Sequence, residues 1–193
     1  MHSVILASTS ETRMQLIQRL LPDVTVAAPD CDETPGDNEH PRDLSLRLAI
    51  EKAASLSSRY PNHLIIGSDQ VATGADRQII GKPGTLAGAK QQLQAASGNI
   101  RTFYTSLCLL NTQSGACHTD VVETSVHFRQ LSDAVIDRYL LREDVRFCAG
   151  AFKAESAGIQ LFTQLTSDDP TSLLGLPLIR LVDFLLEEGV VLP

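Results

Sequence analysis

The chain has 193 residues, 43% hydrophobic and 20% charged. That is enough for one good-sized domain or two small lobes, burying about 70% of the unfolded surface. With 23 acidic against 16 basic side chains the formal net charge is −7. This excludes a protein that coats nucleic acid or an anionic membrane non-specifically, since both partners are polyanions, but leaves room for one small anion held by a few placed cations. Only four of the basic residues are lysines, Lys52, Lys82, Lys90 and Lys153, so each can be followed individually.

The short branched run Val4–Ala7 predicts a buried strand. Ser8-Thr9-Ser10 leads into a helix with Met14, Ile17 and Leu21 on one face, capped by Ser10 and stopped by Pro22. Val24–Ala28 reads as a second strand. Residues 29–39 carry five acids and no base among Pro and Gly, a loop. Pro41 opens a helix to about Ser58 whose core stripe is Leu46, Ala49, Ile50, Ala53 and Leu56.

Leu64–Gly67 predicts a strand leading into Ser68-Asp69-Gln70, and Leu86–Ala96 a helix ended by Ser97-Gly98-Asn99. Ile100–Leu110 and Cys117–Phe128 flank the turn signal at residues 111–115 and predict a long β-hairpin. Ser132 caps a helix to about Arg142, Cys148–Leu165 mixes small residues with short apolar pieces, and a last helix runs from Pro177 to near Gly189. The order predicts an α/β fold with a mixed sheet, one unit over residues 1–193 with two lobes.

No run approaches the ~20 apolar residues of a membrane span, and the N-terminus lacks the basic and apolar regions of a signal peptide. A cytoplasmic protein with reduced, mostly buried thiols is expected. The four cysteines form no C-x-x-C pair and the five histidines no H-x-x-x-H, so zinc is not expected.

Several residues could carry chemistry. Ser8 and Ser10, between a strand end and a helix start, form a cradle for an anion that Arg13 can also reach. Asp69 follows an apolar strand, where open α/β sheets expose ligand-binding residues, and could hold a metal or act as general base. Lys52 stands i+4 from Leu48 and i−4 from Leu56, inside an apolar ridge, and needs a carboxylate or an anionic ligand. Lys82 sits in the turn Gly81-Lys82-Pro83, and Lys153 lies on the side of Glu155 if that segment is extended. Each has an ordinary structural reading too: a capped helix, a turn-forming Asp, a lysine stem covering Leu48, plain surface lysines. Together with Glu33 they suit a polyphosphate and its divalent metal. A P-loop and a G-x-G-x-x-G motif are both absent.

The ordered motifs Ser8-x-Ser10-x-x-Arg13, Asp32-Glu33-Thr34, Arg47-Leu48-Ala49-x-Glu51-Lys52-Ala53, Gly67-Ser68-Asp69-Gln70, Gly81-Lys82-Pro83 and Gly150-x-Phe152-x-x-Glu155 resemble the Maf family of nucleotide pyrophosphatases. The resemblance implies a fold similar to that of the inosine triphosphate pyrophosphatases, with two lobes around a cleft. It implies hydrolysis of a nucleoside triphosphate to monophosphate and diphosphate with a divalent cation, magnesium or manganese. Asp69 matches the proton acceptor, Arg13, Lys52 and Lys82 the phosphate-handling positions, and Ser8 and Ser10 the first loop; Lys153 is taken as a further substrate-binding cation, and Glu33 and Asp69 as the metal carboxylates.

Specificity in the family is associated with positions that here are Thr12, Gln70 and Glu155. Gln70 and Glu155 resemble the branch acting on 7-methyl-GTP. That branch has an aromatic where this chain has Thr12, and stacking on a base is worth ~1–3 kcal/mol. The resemblance therefore also admits a dTTP/UTP or broad nucleotide pyrophosphatase, or a nucleotide-binding cell-division regulator with weak catalysis. A homodimer is compatible with the family, whereas nucleic acid and membrane partners are not expected.

Overall fold

The apolar run at the start of the chain is a strand, β1 (Ser3–Ala7), in a computed structural model that describes residues 3–74 and 76–192. His2, one of the histidines considered for metal spacing, lies outside the described residues. The further elements are α1 (Glu11–Ile17), β2 (Thr25–Ala27), α2 (Pro41–Ala54), β3 (His63–Thr73), β4 (Ile79–Ile80), α3 (Leu86–Ala96), β5 (Ile100–Asn111), β6 (Cys117–Phe128), α4 (Asp133–Arg142), β7 (Phe162–Ser167) and α5 (Leu178–Glu187). Short 3-10 turns lie at Ala149–Ala151, Ala157–Leu161 and Ser172–Leu174. The sheet order is β2-β1-β3-β5-β6-β7, with β4 antiparallel on β3. Parallel pairs β1–β2 and β1–β3 and antiparallel pairs such as β6–β7 make the sheet mixed, as expected.

The chain forms two compact units. The first comprises the described residues of Met1–Gln70, Thr105–Val122 and Asp169–Pro193, and the second those of Val71–Tyr104 and Glu123–Asp168. In the first unit β1 and β3 are packed on both faces, and the period of two sorts their side chains. Leu6, Leu64 and Ile66 face one layer with Leu16 and Ile17 of α1 and Leu181 and Leu185 of α5. Ile5, Ala7 and Ile65 face the other, with Ala49 and Ala53 of α2. The second unit is centred on Phe103, Phe128, Phe152 and Phe162, whose rings meet edge to face with centroids 5.5–6.0 Å apart.

Five expectations are corrected. The first helix stops at Ile17, not Pro22, because Arg19 and Leu20 N–H already bond the carbonyls of Leu16 and Ile17 in 3-10 fashion. The buried row of α2 is Leu44, Leu48, Lys52 with Ala49 and Ala53, while Ile50 is exposed and Leu46 only half-buried. β3 does not end at Gly67 but continues to Thr73, held at its far end by the pairing of Ala72 and Thr73 with β4. Finally, β4 and the edge strand β7 arise where no strand was expected, and of the thiols only Cys108 is buried. None of the described helices is long and apolar enough to cross a membrane.

Candidate active site

Because β3 runs on through residue 73, Asp69 is a mid-strand residue, not one placed after a strand end. The alternation that points Ile65 and Gly67 toward α2 points Asp69 the same way, while Ser68 and Gln70 take the opposite face. Gly67 then matters for its missing side chain. A Cβ there would fall on the carbonyl oxygen of Ala49 and lie 2.9 Å from Ala53 N, so α2 rests directly on the strand backbone. That close approach brings Lys52 to Asp69.

Lys52 Nζ donates to Asp69 Oδ1 at 2.6 Å and lies 2.6 Å from Glu33 Oε1. Lys52 is 6% exposed and Asp69 8%. Burial works to lower the lysine pKa, but Asp69 and then Glu33 outweigh it, and the ammonium is held above its ordinary value. The lysine in the apolar ridge is thus a fixed cation with two carboxylates on it.

Glu33 reaches this cluster from the acidic loop, which Arg47 ties to α2. Its Nε donates to Glu39 Oε1 at 2.7 Å, its Nη2 to Glu39 Oε2 and to Thr34 O, and its Nη1 to Glu51. Gly36 N closes the loop onto Glu39 Oε2 at 2.8 Å. Neither Glu39 nor the anchoring role of Arg47 was foreseen. The available signal was Arg47 and Glu51 one turn apart beside Lys52.

On the opposite face Arg13 does not hang open toward an anion. Its Nε donates to Gly175 O at 2.7 Å and its Nη1 to Ser68 O at 2.9 Å. Arg13 is half-buried, and desolvation lowers its pKa, partly offset by Asp69 and Glu33. Gly175, at φ 101°, turns its carbonyl to receive both Arg13 and the Ser68 hydroxyl. The Ser8–Ser10 cradle is partly satisfied internally: Ser8 Oγ accepts from Ser10 N at 3.0 Å and Ser10 Oγ from Arg13 N at 3.3 Å. Thr12 is half-buried on α1. Gln70 Nε2 donates to Thr105 Oγ1 and to the carbonyls of Ser172 and Leu173 at 2.9–3.1 Å, which spends its two protons.

The structure therefore brings Glu33, Lys52 and Asp69 into contact and sets Arg13 and Gln70 on the other side of β3. Lys82, Lys153 and Glu155 belong to the second unit. Lys82 is exposed between β4 and α3. Lys153 and Glu155 are not in an extended segment: Ser156 and Gly158 N–H both bond Lys153 O, a turn, so the expected alternation does not apply. Lys153 is instead fixed by its N–H on the buried Tyr139 hydroxyl at 3.1 Å, with its ammonium 4.0 Å from Glu143.

A family model described as Maf-like protein matches residues 3–188. The chain belongs to the Maf family. Over all 193 residues this Maf chain is 52% identical to a protein named 7-methyl-GTP pyrophosphatase from Pseudomonas syringae pv. tomato, with 100% of each covered. Among solved structures it overlaps a HAM1 protein from Coxiella burnetii at 17% identity and TM-score 0.47, covering 68% of this chain and 75% of that one. The Staphylococcus aureus Ham1 protein overlaps at 13% identity and TM-score 0.44, over 66% and 72%.

A divalent cation fits the oxygen-donor chemistry of Glu33 and Asp69, which stand on one ammonium. Among the described residues no cluster of three or more metal-ligating side chains occurs. Magnesium commonly takes only one or two carboxylates and completes its shell with water and substrate phosphates.

Proposed function

We propose that this Maf-family chain hydrolyses 7-methyl-GTP to 7-methyl-GMP and diphosphate. The full-length 52% identity to the Pseudomonas syringae 7-methyl-GTP pyrophosphatase carries the reading. The cluster of Asp69, Lys52 and Glu33 supplies its chemistry. A water attacks the α-phosphorus, Asp69 accepts its proton, and the bond from that phosphorus to the α,β-bridging oxygen breaks as diphosphate leaves. Lys52, enclosed and positively charged, stabilises the developing phosphate charge in a partly desolvated place, where such a charge acts more strongly than in water. Lys82 and Lys153 supply further cations, and Arg13 holds the Ser68 backbone beside Asp69. Glu33 and Asp69 would hold the divalent cation, which neutralises part of the triphosphate charge when bound.

For the base, a carboxylate such as that of Glu155 can accept from the N1–H and N2–H₂ donors of guanine and complements the positive charge of its methylated ring. Diphosphate release from 7-methyl-GTP, GTP, dTTP and UTP, with magnesium and with manganese, tests the assignment. The expected order has 7-methyl-GTP first, and a preference for dTTP or UTP overturns it. Asp69→Asn is expected to lower turnover ~10²–10⁴-fold, as loss of a general base does. Turnover within tenfold of the parent removes Asp69 from that role, and tight triphosphate binding with no diphosphate release from the parent itself points to a regulator.

A further inference from the structure

The Gly81-Lys82-Pro83 turn is held by hydrogen bonds more than by packing. A cavity of about 650 Å³ lies against it, lined in part by Ile80, Lys82, Pro83, Gly88, Gln92 and Arg101. A methyl group on Gly81 or Gly84 would meet no heavy atom within 4 Å. Backbone with so little around it is fixed by its end contacts.

On the C-terminal side these are several. Gly84 N donates to Arg146 O at 2.9 Å, Thr85 N donates to Pro83 O at 2.8 Å, and the Pro83 carbonyl rests on Gly88, where a Cβ would come within 2.6 Å. On the N-terminal side the Gln92 amide of α3 donates to Gly81 O at 2.9 Å. Behind Gln92 stands Arg101, 4% exposed, whose Nη2 donates to the Gln92 carbonyl. Among the described residues Arg101 Nη1 and Gln92 Oε1 are buried without hydrogen-bond partners. Burial pushes the Arg101 pKa down and no carboxylate offsets it. A buried cation lacking a counter-charge is costly, and an apolar side chain would fill the same space without that cost.

Lys82 is the reason to retain such an arrangement. Lys52, Lys90 and Lys153 each have a carboxylate within 4.0 Å, and among the described residues Lys82 has none. Its ammonium is uncommitted, and fixing the backbone that carries it lowers the ordering cost when an anion arrives. We propose that Gln92, braced by Arg101, is a positioning residue that holds the Gly81–Lys82 turn so that Lys82 meets the triphosphate. This rests on the reading of Lys82 as a phosphate-binding residue.

The test is a double-mutant cycle on KM for 7-methyl-GTP with magnesium. Lys82→Ala is expected to raise KM at least about tenfold, the size of a lost charge-assisted contact. Gln92→Leu, which keeps the volume but loses the donor, is expected to raise KM about fivefold with kcat within twofold. Gln92→Glu keeps the shape but also lacks the donor, and is expected to show the same rise. In the Lys82→Ala background the Gln92→Leu effect is expected to vanish, which a merely structural role would not produce. If Lys82→Ala raises KM but the Gln92 variants do not, or if Gln92→Leu keeps its full factor without Lys82, the positioning role is overturned. If Lys82→Ala itself leaves KM unchanged, the phosphate reading of Lys82 is overturned and the positioning role falls with it.

Discussion

Lys52 holds two carboxylates on one nitrogen, and removing it exposes what that arrangement costs. In Lys52→Met the stem volume is kept, but Asp69, with a side chain 12% exposed, faces Glu33 with no cation between them. Breaking a buried ion pair from one side costs about 3–5 kcal/mol. Glu33 is 56% exposed and can turn to water, so roughly 2 kcal/mol is expected here, or about 5 °C in Tm for a chain of this size. If the two carboxylates also hold a divalent cation, manganese will raise Tm more in Lys52→Met than in the parent, because binding to the folded state alone stabilises it. Thermal unfolding with and without manganese checks both points; equal metal shifts in the two proteins would count against the metal reading. The need of Lys52 for a partner was legible from its i±4 apolar neighbours. The fate of Arg13 was not, since it bonds the carbonyls of Ser68 and Gly175, 55 and 162 positions away.

The contact of α2 with β3 is what converts a sequence spacing into a site. A side chain at Gly67 would collide with helix backbone at Ala49 and Ala53, which cannot rotate aside. Gly67→Ala is therefore expected to exceed the usual overpacking cost and to destabilise by about 3 kcal/mol or more. It would also lift Lys52 from Asp69 and lower kcat. Urea unfolding and turnover measure the two effects, and a variant within 1 kcal/mol of the parent, roughly the ordinary cost of a tolerated core change, would show that the approach is slack. Sequence periodicity recovered α3 and β6 to the residue because each is bounded by strong punctuation, Ser97-Gly98 or Asn111–Gly115, and α4 closely, although Ser132 at its N-cap makes no side-chain cap bond. It failed on β3 because Gly67-Ser68-Asp69-Gln70 reads as a turn by composition, and pairing with β5, and with β4 at Ala72 and Thr73, overrides that preference. β7 was missed for a similar reason: its middle residues are exposed, and its strand form comes from pairing with β6.

The chain divides into two units made of discontinuous segments, with β3, β5 and β6 each contributing to both. The long hairpin strands β5 and β6, 12 residues each and about twice the common length, were the legible sign. Where the units divide was not legible, because no linker or change of composition marks it. Each unit carries an arginine-held surface carboxylate: Glu39 on Arg47 in the first and Asp144 on Arg146 in the second, both drawn down to about 2. For Glu39 the hydrogen bond from Arg47 is the main cause and that from Gly36 N–H the next. A carboxylate whose folded pKa lies below its ordinary value of 4.5 is bound by fewer protons in the folded than in the unfolded chain. Its stabilising contribution is present in full above pH 4.5 and is lost as the pH falls through about 2. Glu39→Gln cannot show this loss. The variant is expected to be less stable than the parent at pH 7, and the gap in urea midpoint should close progressively between pH 4.5 and 2. Because Glu39 anchors the loop bearing Glu33, the same variant is expected to lower turnover at pH 7 even where it remains folded. A gap that stays constant across the acid range, measured at fixed ionic strength, would mean that Glu39 acts there by shape and not by charge.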